Sequence, residues 1–163
     1  VEPRNRLDTV KAMKISVASD HAGFELKDTI AKNLANCGHE VTDHGTDSTE
    51  SVDYPLYVEP AARDVAEGRS ERAILVCGSG VGVCMVANKV DGVRAVNAHD
   101  PAESEMSRRH NDANVLCLSG SRLSVEQALP IIRAFLTTEF EGGRHARRVG
   151  QIAEVEHHHA AAT

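Results

Sequence analysis

Residues 72–89 read RAILVCGSGVGVCMVANK, and this stretch decides the fold class. Ala73 to Cys77 is apolar at consecutive positions rather than alternate ones, the pattern of a strand covered on both faces by helices. Gly78, Gly80 and Gly82 follow at every second position, and an apolar run then continues as a helix to about Lys89. A strand, a tight glycine turn and a helix make up half of a β-α-β unit.

The same rhythm extends in both directions. Upstream lie KISVAS from Lys14, a helix from about Phe24 to Asn36, the strand HEVTD, and a helix from about Tyr54 to Glu67. Downstream lie VRAVNA, a helix from Pro101 to His110, NVLCLS, and a helix from Ser124 to Thr138. Asp100 before Pro101 is an N-cap followed by a first-turn proline, and Gly38 closes the helix that ends near Cys37. The pattern predicts an α/β fold: a doubly wound, Rossmann-like five-stranded parallel sheet in flavodoxin-type strand order, with helices on both faces.

Composition limits what such a domain does. The chain has 163 residues, with 18 Lys plus Arg against 24 Asp plus Glu, 41% hydrophobic and 3% aromatic residues, and no tryptophan. That length buries a core without disulfides or metal. The net charge of -6 and the scarcity of stacking aromatics argue against a nucleic-acid binder. No run approaches the ~20 apolar residues of a membrane span, and VEPRNRLDTVKAM lacks the apolar segment of a signal peptide, so no membrane partner and a cytoplasmic location are expected. Residues 1–12 read as an N-terminal extension, 13–154 as the domain, and 155–163 as a polar His-containing tail with no assigned role.

Cys37, Cys77, Cys84 and Cys117 show neither CxxC nor zinc-ligand spacing, so metal and disulfides are not expected and core packing is the default for each. Position alone promotes Cys77, which ends a central-looking strand directly before the glycine turn. Ligands of open parallel sheets sit beyond the carboxyl ends of the strands. There Asp20 and His21 stand after the first strand, CGSGVG after the third, and His99 and Asp100 after the fourth. The glycine turn is not a Walker A loop, because Val83–Met85 replaces Gly-Lys-Ser/Thr. It is not a full dinucleotide fingerprint, because Val83 holds the third glycine position, nor a cysteine-phosphatase loop, which needs arginine there. What remains is a turn able to hold a small oxyanion beside a proton-transferring thiol and the Ser79 hydroxyl. Two basic clusters, RRHND at 108–112 and GRHARR at 143–148, stand out in this acidic chain; if the latter is helical, Arg144 and Arg148 share a face able to meet one phosphate.

SDHAGFELK, DYP at Asp53 to Pro55, CGSGVG followed by ANK, RRHNDANVL and EGGRHARRV together resemble the B-type ribose-5-phosphate isomerases, a family that includes galactose-6-phosphate isomerase subunits. The likeness runs in order from about Met13 to Glu154. It implies an aldose-ketose isomerase that interconverts ribose 5-phosphate and ribulose 5-phosphate through an enediolate, in the non-oxidative pentose phosphate pathway, with no cofactor and no metal. By resemblance Cys77 is the base, Ser79 stabilises the enediolate oxygen, His110 assists ring opening, and Asp20 handles hydroxyl protons. His21, Arg144 and Arg148 would contact the phosphate, and Gly78, Gly80, Val81, Gly82 and Asn111 would line the sugar. Arg122 matches less securely, lying one residue further from His110 than the pattern expects. One branch of the family carries a glutamate base where this chain has Val83, which leaves Cys77 as the base. The family site lies between subunits, so a homodimer or dimer of dimers is implied. A six-carbon substrate, allose 6-phosphate or galactose 6-phosphate, and a non-catalytic nucleotide-binding module are the competing readings.

Overall fold

The computed structural model describes Leu7 and residues 11–161. In chain order the elements are β1 (Lys14–Ser19), α1 (Phe24–Asn36), β2 (Glu40–Asp43), α2 (Tyr54–Ala66), β3 (Arg72–Cys77), α3 (Val81–Ala87), β4 (Ala95–Asn97), α4 (Pro101–Asn111), β5 (Val115–Ser119), α5 (Val125–Thr137) and α6 (Arg144–Ala161). The expected caps are present: Asp100 accepts from the Glu103 N–H, and Gly38 adopts a φ of 91° after α1. Ser124 and Gln127 form a capping box at α5.

All neighbouring strands are parallel, in the order β2-β1-β3-β5-β4. The doubly wound sheet is as expected, but the flavodoxin-type order is not: β5, rather than β4, pairs with β3. Burial explains the exchange. Every residue of β5 (VLCLS) is buried, as suits an inner strand, whereas β4 keeps only Ala95–Asn97, each half-exposed, as suits an edge. Handedness agrees. α1 and α4 accompany moves across the sheet in one direction and α2 and α3 moves in the other, and the two pairs pack on opposite faces, as right-handed crossovers require.

The core divides accordingly. On one face Ile15, Val17, Ile74, Val76, Leu116 and Leu118 pack with Leu26, Ile30, Leu34, Ile132 and Phe135. On the other, Leu75, Val115 and Cys117 pack with Val58, Ala61, Ala62 and Val83. Burying each large side chain contributes about 1.5–3 kcal/mol. Leu7 of the N-terminal extension enters the first cluster, and its carbonyl lies 3.0 Å from His39 Nε2. Because His39 Nδ1 accepts from the Met13 N–H, Nε2 carries the hydrogen and donates to Leu7. The rest of residues 1–10 lies outside the described residues. At the other terminus α6 runs on through residues 155–161, where Glu156 Oε1 accepts from the Gly92 N–H at 2.8 Å.

Candidate active site

At the carboxyl end of the sheet, Cys77 closes β3 opposite Ser119 of β5. The thiol is 5% exposed, and its Sγ accepts from the Gly80 N–H at 3.2 Å. Gly80 makes that bend with a φ of 79°, and a Cβ there would stand 2.5 Å from Asn97 Oδ1. Any side chain would therefore both strain the backbone and push β4 away. Asn97 Nδ2 donates to the Ser79 carbonyl at 3.3 Å, pinning the turn from the neighbouring strand. The Ser79 side chain is exposed, with Oγ accepting from the Val81 N–H at 3.1 Å.

The loop after β5 braces the same turn. Gly120 N–H donates to the Cys77 carbonyl at 2.8 Å, Ser121 N–H to the Gly78 carbonyl at 3.1 Å, and Ser119 Oγ to that carbonyl at 2.6 Å. Arg122 follows directly, its N–H donating to Ser119 Oγ, which places it at the Cys77 end of the molecule with its side chain exposed. Buried Asp20 accepts from the Gly23 N–H at 2.9 Å, and its own N–H donates to the Val76 carbonyl at 3.3 Å, holding the end of β1 against the end of β3. His21 Nδ1 accepts from the Val52 N–H at 3.1 Å, so a neutral ring presents Nε2–H as a donor. An open cleft of about 740 Å³ lies beside it, lined by Asp20, His21, Ser51, Asp53 and Tyr54.

Cys117 and Cys84 have other surroundings. Burial pushes the Cys117 thiol well above its ordinary range, consistent with a packed core residue. Cys84, on α3, is drawn down by its contact with Cys117 and is half-buried. Val83 is fully buried in the core.

A second cluster stands at the amino end of the sheet, where α4 finishes. Arg108, 4% exposed, donates Nη1 to Asp112 at 2.8 Å and to the Ala113 carbonyl at 2.6 Å, so it is a structural clasp. His110, half-buried, stacks on His145 with ring centroids 4.1 Å apart and planes 6° from parallel. Glu141 lies against both rings, 3.7 Å from His110 Nε2 and 3.9 Å from His145 Nε2. Arg109 Nε donates to Glu141 at 2.7 Å and holds its carboxyl below the usual range. Burial, then the charges of His110 and Arg144, lower the pKa of His145. Arg144 and Arg148 occupy successive exposed turns of α6, and Asn111 is exposed beside His110.

The expected residues therefore fall into two groups. Asp20, His21, Cys77, Ser79, the glycine turn and Arg122 gather at the carboxyl end; His110, Asn111, Arg144 and Arg148 gather at the amino end. The four residue steps from Ala73 to Cys77 span about 13 Å of strand, and α4 runs back about 15 Å. One chain does not bring the two groups together. Four residues at these ends carried no role in the sequence reading. Tyr54 packs where a Cβ on Gly82 would come within 2.7 Å of its ring, and the DYP motif was its signal. Asn97 had no signal, since β4 is too short to mark its end. Glu141 and His145 lay inside EGGRHARR but became visible as partners of His110 only through the fold.

The sequence profile described as Ribose/Galactose Isomerase matches residues 15–152. The chain belongs to that family. It is 44% identical to ribose-5-phosphate isomerase B of Escherichia coli strain K12, over 88% of this chain and 96% of that protein. Among solved structures, it superposes on Clostridium thermocellum ribose-5-phosphate isomerase B with a TM-score of 0.89, at 46% identity, covering 90% of this chain and 99% of that one. The Mycoplasma genitalium isomerase B with bound ribulose-5-phosphate aligns at a TM-score of 0.84 and 39% identity, covering 88% and 95% of the two chains. Among the described residues, no helix is long and apolar enough to cross a membrane.

Proposed function

We propose that the chain is an aldose-ketose isomerase that interconverts ribose 5-phosphate and ribulose 5-phosphate. The observation that carries this reading is the Cys77 turn. A thiol at the mouth of the central strand receives a main-chain N–H and stands beside a free-facing serine hydroxyl, in a member of a sugar-phosphate isomerase family. An N–H aimed at sulfur complements the negative charge of a thiolate base. Val83 is sealed in the core, which supports Cys77 rather than that position as the base.

In the proposed reaction, His110 takes the anomeric hydroxyl proton and returns a proton to the ring oxygen, opening the furanose. Cys77 then removes the proton from C2 of the open aldose, forming an enediolate. The Ser79 hydroxyl and the turn amides not committed to sulfur face the developing oxyanion. Asp20 moves the proton between the two enediol oxygens, and Cys77 delivers its proton to C1, giving the ketose. His21, Arg144 and Arg148 neutralise the phosphate, with Arg122 a further cation at the Cys77 end. Gly78, Gly80, Val81, Gly82 and Asn111 line the sugar.

Such a site requires two copies of the chain, each giving its carboxyl-end group to one site and its amino-end group to the other. The division of the residues favours this, as do the exposed apolar side chains around the Cys77 turn: Leu56, Val81 and Met85. Subunit complementation tests function and assembly together. With ribose 5-phosphate as the substrate, Cys77→Ser and His110→Asn are each inactive alone; mixing them equally before refolding restores about a quarter of wild-type activity, because half the dimers regain one intact site of two. No recovery would refute the shared site. Retained exchange of the C2 proton with deuterated water in Cys77→Ser would refute the assigned base. Ratios of kcat/KM for ribose 5-phosphate, allose 6-phosphate and galactose 6-phosphate assign the sugar.

A further inference from the structure

The cluster at the end of α4 contains more than the proposed reaction uses. Two imidazoles and a carboxylate, His110, His145 and Glu141, place one ligand atom each within 4.8 Å of the others. The composition is that of a metal centre, yet the geometry is not. Rings 4.1 Å apart and 6° from parallel cannot both aim an in-plane lone pair at one ion. The arrangement fits proton handling better.

Glu141 is held in place from two sides. Its N–H donates to the Arg109 carbonyl at 3.1 Å and its carboxylate accepts from Arg109 Nε, so it is clamped to the last turn of α4. From there it faces both rings at distances too long for hydrogen bonds but short enough to favour a positive imidazole. The environments of the rings differ. His145 is 7% exposed, and its Nε2 is buried without a hydrogen-bond partner. His110 is 33% exposed and opens toward solvent. The charged groups facing the pair are Arg109 on α4, Glu141 on the connecting segment, and Arg144 and Arg148 on α6. Burial and the charges of these arginines disfavour a proton on His145.

We propose that His145 and Glu141 are positioning residues for His110: the buried His145 ring fixes the plane of His110 by stacking, and the clamped Glu141 carboxylate faces the His110 ring to complement the charge that ring takes on during proton transfer. The inference rests on the reading of His110 as the ring-opening group. It predicts that the two neighbours matter only when a ring must be opened.

The two directions of the reaction separate these ideas. Ribose 5-phosphate enters largely as a closed furanose. Ribulose 5-phosphate has no free C5 hydroxyl and is acyclic, and its aldose product closes in solution after release. Initial rates are measured in both directions from about pH 5.5 to about pH 8.5 for wild type, His110→Asn, Glu141→Gln and His145→Phe. Glu141→Gln should lower kcat from ribose 5-phosphate about tenfold while changing the rate from ribulose 5-phosphate less than about twofold. His145→Phe keeps a stacking ring that cannot titrate, so the acid-side loss of the forward rate caused by protonation of His145 should disappear. A merely structural role would depress both directions alike and leave the pH profile unchanged. If His110→Asn itself slows both directions equally, the ring-opening reading fails. If His110→Asn is selective for the forward direction and both neighbours' variants match wild type in rate and pH profile, this inference alone is overturned.

Discussion

The two ends of the sheet are built by different means. At the carboxyl end, the Cys77 turn is shaped by hydrogen bonds that each use a main-chain group: Gly80 N–H to sulfur, Gly120 and Ser121 N–H to successive carbonyls, and the Asn97 side chain to the Ser79 carbonyl. At the amino end, side chains on helix ends do the work: stacked imidazoles, a clamped carboxylate and arginines on successive turns of α6. The difference matches the proposed tasks. Carbon-acid chemistry requires a base and oxyanion donors held in fixed positions, which strand ends and tight turns supply. Ring opening and phosphate capture require titratable and charged groups, which surface helices supply at little cost in burial.

Variants at the two ends should therefore fail in different ways. The largest effect is expected from Cys77→Ser, with kcat lowered by at least about 10³-fold and phosphosugar binding retained, measured by turnover and by calorimetric titration. Next, Gly80→Ala should damage the carboxyl end through its shape. It forces a side chain into a left-handed bend and against Asn97, costing about 1–3 kcal/mol in denaturant unfolding together with much of kcat. The amino end should respond through binding: Arg148→Ala raises KM about tenfold to 100-fold with kcat changed far less, and Arg148→Lys recovers only part of it. A fall in kcat at unchanged KM in the arginine variants would break the contrast.

The smallest effects concern acid pH. His145 has a lowered pKa, so it favours the folded state while neutral; that contribution is present above the ordinary imidazole value and is lost as pH falls below it. Asp64, on α2 against Ser16 of β1, titrates later. Burial acts to raise its carboxyl, but hydrogen bonds from His44, Ser16 and Arg69 outweigh this and hold it below its usual range. Its contribution is present above the ordinary carboxylate value and is lost as pH falls through the lowered one. Stepwise acidification followed by amide hydrogen exchange should therefore loosen the α4–α6 contact before the β1–α2 contact. Simultaneous loosening would contradict the assignment.

Much of this was legible in the residues. The consecutive apolar run of β3, the Asp100–Pro101 cap and Gly38 marked elements and boundaries, because strand burial and helix capping depend on local pattern. Strand order was not legible in the same way. VRAVNA and NVLCLS both read as strands of the β-α rhythm, and only packing revealed that three residues of the first form an edge while the second is buried throughout. At the candidate site, Cys77 stood out because a strand and three spaced glycines frame it. Tyr54 and Asn97 reach that turn from other elements, and sequence distance hides such contacts.

The sequence by itself determined the α/β class, the position of the glycine turn and the family, since these reside in short-range periodicity and ordered motifs. The tertiary structure decided which strand lies beside Cys77, that His110 has a buried stacked ring and a clamped carboxylate as neighbours, and that the two groups of candidate residues stand at opposite ends of one chain. These depend on crossover direction and on helices running antiparallel to their strands. A linear pattern encodes neither, because both are settled by how separated segments bury surface against one another.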